Sequence, residues 1–113
     1  MKRLFKMSIN TKQNQHLRRL AHHLKPVIII GNAGLTEAVM EEIKLAISFH
    51  ELVKIKLNGP DKAARSKMID NIITTCDAHH VQSIGHIAVF YKPSDEKKID
   101  FSSDKPNQGR SSR

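Results

Sequence analysis

Four aliphatic residues in a row, Val27-Ile28-Ile29-Ile30, stand between Pro26 and the segment Gly31-Asn32-Ala33-Gly34. This run constrains the fold more than any other feature of the chain. It is too short for a buried helix and far short of the roughly 20 apolar residues that a membrane helix needs, a length no apolar run here approaches. It fits a short strand, fully buried, entered from a proline-broken helix and left through a glycine-flanked turn. The apolar residues on either side recur with helical spacing: Leu17, Leu20, Ala21 and Leu24 before it, and Val39, Met40, Ile43, Ala46 and Ile47 after it. A strand held between two amphipathic helices calls for an α/β layer structure.

The other elements follow from the same periodicities. Asn10 and Thr11 are helix-capping residues, so the first helix is expected over 11–23, and the second over 36–49. Leu52 to Leu57 alternates, with Val53, Ile55 and Leu57 on one side and Lys54 and Lys56 on the other, as a half-exposed strand does. Asp61 caps a third helix to about Cys76, with Ala64, Met68, Ile69, Ile72 and Ile73 inward. Strands at 81–84 and 87–91 are joined by Gly85-His86, whose leading glycine suits a type II′ turn. The order is α-β-α-β-α-β-β, one α/β domain with a mixed four-stranded sheet packed with helices. Residues 1–7 form an N-terminal extension, with Met7 as an alternative start. From Ser94 the composition turns to Ser, Asp, Lys, Pro, Asn and Gln, so 94–113 reads as a disordered polar tail.

Charge is unevenly placed. The 113 residues carry 19 Lys and Arg against 11 Asp and Glu, a net +8, and no acid precedes Glu37. Residues 1–93 hold 14 bases and seven acids, while the tail is close to neutral. Such a balance points to an anionic partner. Lys12, Arg18, Arg19 and Lys25 ring the outer side of the first helix, and Lys54 and Lys56 form a ridge on the second strand. The loop Gly31, Asn32, Ala33 and Gly34 brings backbone amides to a helix start without Cβ atoms in the way, and KH domains clamp about four nucleotides with a loop of this G-x-x-G form. A tight strand-to-helix turn explains two glycines equally well. No Lys-Ser or Lys-Thr follows, so the loop is no P-loop, and a dinucleotide fingerprint would need glycine at Glu37. With Phe5, Phe49, Phe90, Tyr91 and Phe101 as the only aromatics, there is no base-stacking platform, and contacts should favour phosphate, sugar and shape.

Seven histidines raise a metal reading, notably Cys76 with His79 and His80, and the His22-His23 pair. Adjacent histidines on a strand face opposite ways and no second Cys/His pair follows, so no metal site is expected. Cys76, beside Ile72 and Ile73, reads as a small buried hydrophobe rather than a nucleophile. No catalytic residue, cofactor or small-molecule substrate is expected. The start of the chain lacks an unbroken apolar signal segment, so the cytoplasm is the expected compartment.

Several consecutive blocks carry a resemblance. Ser8 to Gln13, Leu20 to Pro26, Ile30 to Glu37, His50 to Lys56 and Gly85 to Pro93 resemble, in order, the bacterial YhbY-type RNA-binding proteins, the single-domain form of the CRM domain. The resemblance covers 8–93. It implies a KH-like fold similar to the C-terminal domain of translation initiation factor three. It also implies RNA binding through the G-x-x-G loop and nearby bases, and association with ribosomal RNA in precursors of the large ribosomal subunit. Plant relatives act in group II intron splicing, one alternative; another is an adaptor whose basic face meets an acidic protein. A monomer is expected. Asn32 and Ala33 bring no charge where such loops often carry Lys or Arg, so this loop would supply its amides and the flanking helix the charge.

Overall fold

The computed structural model describes residues 9–31, 33–94 and 99. The extension 1–7, Asn32 and most of the polar tail lie outside the described residues. The element order is α1 (Thr11–His22), β1 (Ile28–Ile30), α2 (Glu37–His50), β2 (Leu52–Leu57), α3 (Lys62–Cys76), β3 (His79–Ile84) and β4 (Ile87–Tyr91).

Each helix starts where a side chain can take an orphan amide. Asn10 Oδ1 accepts from the Gln13 amide at 2.8 Å while Gln13 Oε1 accepts from the Asn10 amide at 3.1 Å, a reciprocal capping box. Thr36 Oγ1 accepts from Val39 N–H at 3.2 Å and Asp61 Oδ1 from Ala64 N–H at 2.8 Å. The turn between β3 and β4 has φ +58° at Gly85, and His86 is not among the residues with positive φ. Positive φ at the first turn position alone is the type II′ requirement.

The strands form one sheet in the order β1-β2-β4-β3, with β1 parallel to β2 and the other pairs antiparallel. A parallel pair needs a crossover, and α2 provides it. Helices α2 and α3 cover one face over a core that includes Ile30, Ile43, Ile55, Leu57, Ile72 and Phe90. Helix α1 covers part of the other face, over Leu17, Ala21, Leu52, Val81, Val89 and Tyr91.

Three expectations need correction. The first strand begins at Ile28 and is not buried on both faces: Ile28 and Ile30 are buried, but Ile29 is 61% and Val27 47% exposed. β1 is an edge strand, and α1 packs over β2 and β3, leaving this side of β1 open. On α1 the buried stripe is His16, Leu17 and Ala21, while Leu20 and Leu24 stay more than a third exposed, because the helix is rolled toward β3. The chain after β4 is also not wholly detached. Ser94 donates from its amide (3.0 Å) and its hydroxyl to Glu51 Oε2, the Ile99 amide donates to Glu51 Oε1 at 3.1 Å, and Ile99 packs on the α1-side core.

Candidate nucleic-acid interface

The loop after β1 closes as a turn, with Gly34 N–H donating to Gly31 O at 3.0 Å, before Thr36 caps α2. The two glycines have different reasons to be there. Gly34 has φ +80°, which a side chain disfavours. Gly31 is not among the glycines with positive φ, and a Cβ built on either residue meets nothing within 4 Å. The turn therefore accounts for Gly34 but not for Gly31. What glycine achieves at Gly31 is bare, exposed backbone on the outside of the protein.

Because β1, β2 and β3 run in the same direction, the loop, the Asn58-Gly59-Pro60 turn and the Gly85-His86 hairpin all lie at one end of the sheet. Hydrogen bonds tie that end together. Asn58 N–H donates to Ile30 O at 3.1 Å, and Leu57 N–H to His86 O at 2.6 Å. His86 Nδ1 donates back to Leu57 O at 2.9 Å.

Helix α1 points toward the same end. Near its start, Asn14 Nδ2 donates to Val81 O at 3.2 Å and His79 Nε2 donates to Asn14 Oδ1 at 2.8 Å; one turn on, Arg18 Nε donates to Gln82 Oε1 at 3.2 Å. A cleft of about 450 Å³ between α1 and β3 is lined by Gln15, Arg18, Arg19, His22, Gln82 and Ile84. Lys54 and Lys56, paired with Val89 and Ile87 of β4, stand on this same face of the sheet as Leu52. Lys25 is exposed in the crossing from α1 to β1. Arg18, Arg19, Lys54 and Lys56 thus belong to one side of the molecule, and Lys25 lies in the crossing that follows α1. Lys12, in the first turn of α1, lies toward the opposite end of the sheet from the loop. Sequence reasoning missed Gln82, whose place in the cleft depends on the packing of α1 along β3.

The acids sort to other elements. Among residues 9–94 they are Glu37, Glu41, Glu42, Glu51, Asp61, Asp70 and Asp77, all on α2, α3 or the residues flanking them. Helix α1, the crossing to β1 and all four strands carry none. The field over α1 and the strands it packs on is therefore predominantly positive.

Among the described residues no group of three or more His, Cys, Asp and Glu is placed to hold a metal ion. Cys76 is buried against Met40, with Sγ 3.9 Å from Sδ, and burial pushes its thiol up. His79 turns to Asn14 and α1, whereas His80 packs on Phe90 beneath the other helices, ring centroids 5.5 Å apart. Burial holds both imidazoles below their ordinary value of 6.5, and His80 Nε2 is buried without a hydrogen-bond partner among the described residues. The unfolded chain therefore binds protons that the folded one refuses, and stability should fall as pH drops below about 6.5. Urea unfolding at pH 7.5 and 5.5 checks this. His80→Phe should shrink the difference, and an unchanged pH dependence would show that His80 does not contribute.

The comparisons with known proteins agree in direction. The CRS1 / YhbY (CRM) domain matches residues 9–92. A protein of Haemophilus influenzae named "RNA-binding protein" is 48% identical over 92 residues, 81% of this chain and 93% of that one. One from Pseudomonas aeruginosa, named "Probable RNA-binding protein PA4753", is 36% identical over 86 residues, 76% and 83% of the two chains. The solution structure of a hypothetical protein from Staphylococcus aureus superposes with a TM-score of 0.71 at 27% identity, covering 80% of this chain and 95% of its own.

Proposed function

Since the chain belongs to the CRS1/YhbY (CRM) domain family, we propose that it is a noncatalytic RNA-binding protein that docks through its acid-free α1 side and the loop Gly31 to Gly34. The separation of charge carries this reading: α1, the crossing to β1 and β2 hold Lys12, Arg18, Arg19, Lys25, Lys54 and Lys56, and no acid lies on α1, that crossing or any of the four strands. An enzyme reading finds no support in the one thiol, since burial raises it where a nucleophile needs it lowered. The RNA is proposed to be ribosomal, in cytoplasmic precursors of the large subunit, as the resemblance of residues 8–93 implies. Crosslinking and sequencing of bound RNA, with sedimentation against ribosomal precursors, tests that part. A spread over unrelated messages would count against it.

Binding should be strongly salt-dependent. With roughly five to seven phosphates neutralised, log affinity against log salt should slope at about −3.5 to −5. Arg18→Ala with Arg19→Ala should weaken unrelated RNAs alike, by about tenfold, and flatten the slope by about 1.4. A slope near zero, or loss for one sequence alone, would contradict anchoring through phosphates.

A further inference from the structure

Resting on the RNA-binding reading, we propose that the uncovered half of the sheet is a floor for the unpaired bases of a single-stranded RNA segment. The register sets out this floor. Ile29 pairs with Lys56, Lys56 with Ile87, and Ile87 with Ile84, so one row crosses all four strands on the α1 face. Val27 donates its amide to Lys54 O at 2.9 Å and extends the floor one row back. Helix α1 ends at His22, which borders this row at Ile84 and Ile87 without covering it, so Ile29 is 61%, Ile84 68% and Val27 47% exposed.

Three large aliphatic side chains open to water on one face form a patch with a partner to meet. The lysines decide which partner. Lys54 and Lys56 rise from inside the patch, about 7 Å apart along the strand, rather than at its rim. A protein partner would have to bury both in the centre of its contact, where protein interfaces are depleted of charge. A nucleic-acid strand needs that interleaving, because each nucleotide presents an apolar ring face and an anionic phosphate in turn. Paired RNA hides its ring faces in the stack and would leave the isoleucines uncovered. The contact is aliphatic, so it should discriminate weakly between bases.

The test is fluorescence anisotropy of the full chain with three RNAs of equal length at one salt concentration: a single strand, the same strand with abasic sites at its centre, and a blunt duplex. The intact strand should bind about tenfold tighter than either of the others, the order expected for the apolar contact of two or three bases. Ile29→Ser with Ile84→Ser should remove that advantage and leave the abasic and duplex affinities unchanged. Its melting curve should also stay unchanged, since both side chains are exposed. Equal binding of intact and abasic strands would overturn the proposal, as would a duplex bound as tightly as the single strand, and both outcomes leave the RNA-binding reading standing. Full single-strand affinity in the double variant would also overturn it, and if a protein partner were lost instead, the patch is a protein contact. Failure of all three RNAs to bind would sink the RNA-binding reading itself.

Discussion

Gly31→Asp is expected to reduce RNA affinity on the order of 100-fold while leaving the melting transition of the protein where it was. Among the described residues nothing inside the fold requires glycine at this position: φ is not positive, and a Cβ would meet none of their atoms within 4 Å. The new carboxylate would stand where a phosphodiester is proposed to meet bare backbone amides, which excludes the strand and adds like-charge repulsion, together about 2–3 kcal/mol. Gly34→Asp should lose binding to a similar degree but also cost about 1 kcal/mol of stability, because φ +80° is strained for any other residue. Alanine at each position should be intermediate in binding. An RNA titration and a melting curve on the same samples separate the two effects. If Gly31→Asp binds RNA like the parent, the loop is only a turn, and the binding surface is α1 with Lys54 and Lys56.

The contrast between the two glycines shows where sequence stops being informative. The G-x-x-G spacing marks the loop, but only the backbone angles tell which glycine the turn needs. Two helix starts were legible because capping is local: Asn10 and Asp61 each act on an amide three residues on. The alternation of Leu52 to Leu57 likewise placed Lys54 and Lys56 on one face. Burial of β1 was not legible, because four aliphatics in a row look the same whether a strand is central or at an edge. Ile29 is exposed because of the strand order and the path of α1, both set by contacts distant in sequence. For the same reason the aliphatic floor was missed: Ile29, Ile87 and Ile84 become neighbours only through register. Helical spacing alone points Leu20 inward, whereas α1 packs on the sheet through Leu17 and Ala21, with Asn14 and Arg18 reaching β3.

Ending the chain at Pro93 is expected to lower its stability by about 3 kcal/mol, or about 15 °C in Tm for a domain of this size, despite the polar composition of the segment removed. The reason is Glu51. It is fully buried, with φ 68° in a conformation that disfavours side chains, and its own amide closes α2 by donating to Ile47 O at 2.9 Å. A carboxylate so placed needs donors. Ser94 supplies two and Ile99 one, and Lys92 N–H bonds the Glu51 carbonyl at 2.9 Å. Composition could not reveal this, because one buried acid at the end of a helix reads as another surface charge until the fold closes over it. Truncation removes these donors from Ser94 and Ile99 together with the packing of Ile99 on the α1-side core. The coupling is testable as a double-mutant cycle. In the full chain Glu51→Gln should cost about 1–2 kcal/mol, because charge-assisted bonds become neutral ones. In the truncated chain the same substitution should be neutral or stabilising, since it removes a buried charge that has lost those donors. Additive effects in urea unfolding of the four proteins would show that Glu51 and the segment after β4 act independently. A truncated chain that melts like the parent would show that the contacts of Ser94 and Ile99 add nothing to stability.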